Sequence, residues 1–207
     1  IVMAVMFMFD YGIMKEDESL INAAFKQLEI HIDCLRDEKT GLFYHGYHCN
    51  KKEHMGQIWG RGNGWVVAAL SRLIPMLENK GYNMDKYKSV FVKAMDSAYK
   101  NRLENGMLRT LITDNEAYKE MSASMLFGYA ALNGAESKLL PEKYLLWAKQ
   151  IEKCVEYDGS EWIKYISAGT NPQGREGYLD RPYIEANYGH GIALMFFSAL
   201  YKRYNNK

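Results

Sequence analysis

The chain has 207 residues, 48% hydrophobic and 14% aromatic, and its 26 basic against 25 acidic residues leave a formal net charge of +1. A chain of that size and apolar content can bury a full core and is not a disordered tail. The balanced charge argues against a nucleic-acid binder or a polybasic membrane-surface protein, since both need a positive excess, and leaves a neutral or locally anionic small molecule as the compatible partner.

From Ile1 the chain reads IVMAVMFMF, nine consecutive apolar residues without an initiator Met. That run is too short to span a bilayer and lacks the basic flank and cleavage site of a signal peptide. Ile1 to Ile13 therefore predicts a buried helix of a globular protein, entered in mid-fold. Glu16 to Leu35 carries Leu20, Ala24, Leu28, Ile32 and Leu35 on one side with charged residues opposite, which predicts an amphipathic outer helix. After the run DEKTGLFYHGYH, Gly64 to Leu77 is apolar nearly all round, and Met84 to Leu103 is amphipathic through Tyr87, Phe91, Met95 and Ala98. After ENGMLRTLITD, Ser122 to Leu132 is again apolar, and Pro141 to Tyr157 is amphipathic through Leu145, Ala148, Ile151 and Val155. YDGSEWIKYIS follows, and Gly191 to Leu200 is a last apolar helix.

Buried and amphipathic helices thus alternate, a repeat of roughly 60 residues that suits a ring of helix pairs. Each amphipathic helix leaves through an acidic or Asn residue, a Gly and a short aromatic or β-branched run; the Gly closes the helix and the run can pair as a hairpin. Polar and aromatic side chains therefore collect just before each buried helix, so the inner N-termini are expected to converge on one mouth. No linker divides the chain. The expectation is one all-α domain, an incomplete ring of four inner and three outer helices. Cys34, Cys49 and Cys154 are odd in number and scattered, without a C-x-x-C pair, and read as reduced thiols.

The densest segment is QIWGRGNGW, where Gly60, Gly62 and Gly64 alternate with Trp59, Arg61 and Asn63 directly before a helix. Alternating glycines let a backbone approach a ligand, the helix start offers free N–H groups, and Arg61 adds a fork matched to carboxylate. Trp59 and Trp65 supply flat faces for a sugar ring, so the composite suits an anion attached to a ring. The competing reading is a glycine-rich helix start whose tryptophans only pack. His45 suits a hydrogen-bonding role at the rim, and His190, between Gly189 and Gly191, is placed for the cleft. His45, His48 and His54 have no third acidic or thiolate ligand at a convincing spacing, so no metal is expected. One of Ser122 and Ser124 reads as a helix cap, and Asp114, Glu120, Asp180 and Glu185 do not form a recognisable pair of catalytic carboxylates.

WGRGNGW, taken with TGLFYHGY upstream and MSASMLFGYAALNG and YGHGIAL downstream, resembles the unsaturated rhamnogalacturonyl hydrolases of glycoside hydrolase family 105, close to the unsaturated glucuronyl hydrolases of family 88. The resemblance implies an (α/α)6 barrel, of which about seven helices are represented here. Residues 1–207 would be the C-terminal part of a single catalytic domain whose N-terminal part is missing. It further implies removal of a 4,5-unsaturated uronic acid from lyase-generated pectin oligosaccharides by hydration of the C4=C5 double bond, with no cofactor. A vinyl ether needs only protonation to become an oxocarbenium ion, so a single Asp can act as acid and base. Carried over by position, Arg61 would bind the uronate carboxylate or ring, Trp59 and Trp65 would stack on it, His45 would contact the ring near the reacting carbons, and Asn63 would sit behind them. The general acid aligns just upstream of Ile1, and Asp10 lies at the wrong end of its helix to replace it. Two departures, MLRTLITD after Asn105-Gly106 and a short connection from Tyr47 to Trp59, bear on the departing sugar. The alternatives are an inactive glycan-binding or structural α/α barrel and a sugar epimerase-like enzyme. No nucleic acid or membrane partner is expected, and the compartment expected is the cytoplasm, with the periplasm as the alternative.

Overall fold

The computed structural model describes residues 1–157, 159 and 161–205. Its helices in chain order are α1 (Val5–Lys15), α2 (Glu18–Leu35), α3 (Gly60–Glu78), α4 (Asp85–Lys100), α5 (Met121–Glu136), α6 (Lys143–Lys153), α7 (Arg175–Leu179) and α8 (Asn187–Asn205). Seven of them fall on the segments expected from periodicity. The Asp17 carboxylate caps α2 by accepting from the Leu20 N–H at 3.0 Å, and Glu16, in the left-handed region at φ 54°, turns the chain out of α1.

Inner and outer layers separate by composition. α5 is buried on almost every side, α3 buries Val66, Val67, Leu70, Leu73, Ile74 and Leu77, and the two pack on each other. A Cβ at Gly64 would sit 2.8 Å from Leu126 Cβ, so the glycine lets these inner helices close up. α4 and α6 each bury one stripe, Tyr87, Phe91, Ala94 and Met95 in α4 and Tyr144, Trp147, Ala148 and Ile151 in α6, as outer helices do. α1 pairs with α2 and α8 with α5.

Two departures concern the ends of this row. α1 was expected to be covered on all sides, but it buries only Val5, Phe9 and Gly12, while Phe7, Tyr11 and Met14 are exposed. α8 likewise leaves Leu194 and Tyr201 exposed. Each helix has a packing partner on one side among the described residues, so its other apolar side meets solvent.

The rim runs pair as expected. β1 (Gly46–His48) and β2 (Glu53–Met55) form an antiparallel hairpin with Tyr47 opposite His54, and β3 (Leu108–Arg109) pairs with β4 (Lys119–Glu120). In the third run Tyr157 bridges Ile163, while Asp158 and Ser160 lie outside the described residues. α7 had no signal in the sequence.

Candidate active site

The glycine-rich motif is helix from Gly60 onward and does not form an open cradle. Gly60 N–H donates to the Thr110 carbonyl at 2.7 Å, and a Cβ on Gly60 would sit 2.7 Å from the Arg109 carbonyl oxygen. Gly60 and Gly64 therefore admit neighbouring protein, not a ligand.

Arg61 leaves the first turn of α3 and is only 4% exposed. Its Nη1 donates to Ser122 Oγ at 3.0 Å and to the Ser167 carbonyl at 3.1 Å and lies 3.4 Å from Glu120 Oε1; Nη2 donates to the Ala168 carbonyl at 3.1 Å. Its Cζ stands 4.7 Å from the ring centres of both Trp59 and Tyr188, an arrangement favourable to a guanidinium. Glu120 is fully buried and caps α5 by accepting from the Ala123 N–H at 2.6 Å, and it also accepts from Ser122 Oγ and the Ser167 N–H. A buried charge persists only when paired and hydrogen-bonded, and this pair is both. The cap expected of a serine is thus supplied by Glu120. Ser122 bridges the ion pair, and Ser124 Oγ donates to the Glu120 carbonyl and accepts from the Leu108 N–H.

Asn63, 1% exposed, acts as a backbone mimic. Its Oδ1 accepts from the Phe43 N–H at 2.7 Å, and its Nδ2 donates to the carbonyls of Phe43 at 2.8 Å and Trp59 at 2.9 Å. That clamp fixes the rim strand two residues before His45. His45 is half-buried, its ring centre 4.4 Å from that of Trp59, with Nδ1 2.7 Å from Tyr178 Oη. Burial, and secondarily the charge of Arg61, hold its pKa below the ordinary imidazole value.

The structure thus brings His45, Trp59, Arg61 and Asn63 into one contiguous cluster at the N-terminal mouth of α3. Trp65, four residues beyond Arg61 and so on the same helix face, is half-buried against the core. His190 stands apart: its ring lies 4.8 Å from that of Trp162, while Tyr188 is the α8 residue that reaches Arg61. Asp10 pairs with Arg72 at 2.8 Å, and Asp114 holds Arg175 at 2.6 Å. Sequence reasoning passed over Tyr178, Tyr188 and Ser167, and weighed Glu120 only as a stray carboxylate. Glu120 carried one usable signal, its position just before an apolar helix. Among the described residues no group of three or more His, Cys, Asp or Glu side chains could hold a metal ion, and no helix is long and apolar enough to cross a membrane.

Alternating inner and outer helices, with a polar and aromatic mouth at the inner N-termini, define an α/α barrel of the kind found among glycosidases. The chain belongs to Glycosyl Hydrolase Family 88, whose model matches residues 1–204. It is 29% identical over 205 residues to the unsaturated rhamnogalacturonyl hydrolase YesR of Bacillus subtilis (strain 168), an alignment covering 98% of this chain and 58% of the relative. A crystal structure of a possible family 105 member from Salmonella enterica serovar Paratyphi A superposes with a TM-score of 0.89 at 22% identity, covering 98% of this chain and 55% of that one. The unsaturated glucuronyl hydrolase of Bacillus sp. GL1, responsible for the degradation of glycosaminoglycan, superposes at 0.70 with 15% identity, covering 98% and 57%. The resemblance read from the motifs is borne out, and the fold is that of the (α/α)6 barrel. The chain spans a little over half the length of these relatives.

Proposed function

We propose that this chain forms the C-terminal part of the catalytic domain of a glycoside hydrolase that removes a 4,5-unsaturated uronic acid from lyase-generated rhamnogalacturonan oligosaccharides by hydrating the C4=C5 double bond. The observation that carries this reading is the clustering of His45, Trp59 and Arg61 at the mouth of α3, in a chain similar along nearly its whole length to an unsaturated rhamnogalacturonyl hydrolase.

In this reading His45 donates to a ring or exocyclic oxygen near the reacting carbons, and Trp59 and Trp65 flank the ring. Arg61, its charge met by Glu120, backs the face of Trp59 while its N–H groups hold α5 and residues 167–168 in place. Asn63 holds the His45 strand from behind, and His190 packs against Trp162 apart from this cluster. The general acid, an Asp, comes from barrel elements outside the 207 residues. Protonation at C4 gives an oxocarbenium ion, water adds at C5, and the hemiketal opens to release the neighbouring sugar.

The test follows the ultraviolet absorbance of the conjugated double bond, using the natural polypeptide that contains this chain and a panel of polysaccharide-lyase products. Loss of absorbance with release of a 5-keto uronate is expected on the rhamnogalacturonan disaccharide. Unchanged absorbance across the whole panel overturns the reading, and an isomerised sugar by NMR would point to an epimerase.

A further inference from the structure

We infer that Tyr178 is a positioning residue that fixes His45 as the neutral tautomer protonated at Nε2, so that the ring offers the mouth a hydrogen-bond donor and not a base. This deepens the function proposed above and rests on it for the identity of the ligand, but the hydrogen-bond argument stands on its own.

Tyr178 is the buried residue of α7, with no exposed surface, and its ring packs among Leu111, Ala117, Trp59 and Leu179. The helix is tied down from outside by Arg175, whose Nε donates to Asp114 Oδ2 at 2.6 Å and whose Nη2 donates to Glu116 Oε2 at 2.6 Å. The phenol oxygen therefore sits in a fixed place, 2.7 Å from His45 Nδ1.

The direction of that bond follows from counting hydrogens. Tyr178 Oη accepts from the Gln57 N–H at 3.4 Å. A phenol oxygen has two acceptor positions and one hydrogen to give. With a backbone donor on the acceptor side, the hydroxyl hydrogen goes to the neighbour that can accept it, and Nδ1 is that neighbour. An Nδ1–H would instead make the oxygen accept twice and leave the buried hydroxyl hydrogen without a partner, which is costly away from water. The imidazole proton is thus on Nε2. Among the described residues Nε2 has no protein partner, and no buried side-chain nitrogen or oxygen lacks one, so Nε2 is open to solvent or ligand.

The main chain is shaped around this contact. Gly56 has φ +74°, and a Cβ there would collide with Tyr178 Oη and stand 3.2 Å from His45 Cβ, so only glycine fits between them. The titratable groups set against the ring are the Tyr178 phenol from α7 and the Arg61 guanidinium from α3. Neither favours the imidazolium, which agrees with the lowered His45 pKa.

The test is a long-range proton–nitrogen NMR correlation on the uniformly nitrogen-15 labelled natural polypeptide, with the His45 signals assigned by their loss in His45→Gln. At neutral pH, protonated Nε2 and unprotonated Nδ1 are expected in the wild type. Tyr178→Phe, which keeps the ring, should give a mixture of tautomers, lower kcat/KM about tenfold as expected for loss of one hydrogen bond's worth of alignment, and move the acid limb of the pH profile upward. A wild-type His45 carrying its proton on Nδ1, or charged at neutral pH, overturns the inference without any appeal to activity. So does a Tyr178→Phe protein with the same tautomer and pH profile as wild type. The expected tautomer in a protein inert toward every unsaturated uronide would uphold the positioning role and sink only the substrate reading.

Discussion

Replacing Asn63 tests whether the mouth is built by backbone satisfaction or by surface complementarity. In the isolated bridge between Arg36 and Phe43, the ladder bonds run from Asp37 N–H to the Leu42 carbonyl and from Tyr44 N–H to the Leu35 carbonyl. Phe43 is thus the member whose own N–H and carbonyl point away from the bridge, and Asn63 meets both of them. The Trp59 carbonyl keeps a second donor, the Asn63 main-chain N–H at 3.0 Å, so Asn63→Ala orphans two buried groups and not three. At about 1–3 kcal/mol for each orphan, the loss is about 2–5 kcal/mol once some relaxation is allowed. Urea unfolding should show the midpoint falling with an unchanged slope. Asn63→Asp adds a signature of sign. Its second carboxyl oxygen would face the carbonyls of Phe43 and Trp59, which raises the folded-state pKa above the unfolded value of about 3.9. Its deficit relative to wild type is therefore smallest in acid and grows as pH rises from that value through the raised one. A loss below about 1 kcal/mol for Asn63→Ala, or a deficit for Asn63→Asp that does not depend on pH, refutes the clamp.

Three other outcomes follow from the same geometry. Arg61→Ala leaves the carboxylate of fully buried Glu120 without its cation and should cost about 3–5 kcal/mol in chemical denaturation, and Arg61→Lys should recover only a part because one ammonium cannot span Ser122, Ser167 and Ala168; wild-type stability in both would remove the pair from the fold's supports. Gly60→Ala drives a methyl into the Arg109 carbonyl and should cost about 1–3 kcal/mol, whereas Gly62→Ala meets only the edge of Trp59 and should stay within about 1 kcal/mol of wild type, as thermal melts would show, with equal effects arguing against the helix start described. The hydrogen bonds from Arg175 hold the Asp114 carboxyl below its usual range, so the stability that pair contributes is full above about pH 3.9 and is lost as pH falls through the lowered value; wild type and Asp114→Asn should converge in acid, and a gap that widens there would contradict the pairing.

The helices were legible because their signal is local. The stripe in α2, the apolar run in α5 and the alternation between them are periodic within a few turns, and the structure returns them within a few residues of the expected ends. The residues singled out around the glycine-rich motif, His45, Trp59, Arg61 and Asn63, do meet in space. What the motif did was not legible. A guanidinium beside glycines and tryptophans reads equally as a ligand clamp or an internal anchor, and the choice depends on acceptors far away in the chain. Glu120 is 59 residues from Arg61 and the Ser167 carbonyl 106, and Tyr178 is 133 from His45.

The sequence by itself therefore determined the helical alternation, the rim hairpins and the family resemblance, because those follow from spacing along the chain. Only the tertiary structure decided that Arg61 is neutralised by Glu120, that Asn63 serves two backbone groups, and that α7 carries Tyr178 in behind His45. Each is a hydrogen-bond account between elements brought together by burial, where an unpaired polar group is costly enough to dictate who its partner must be.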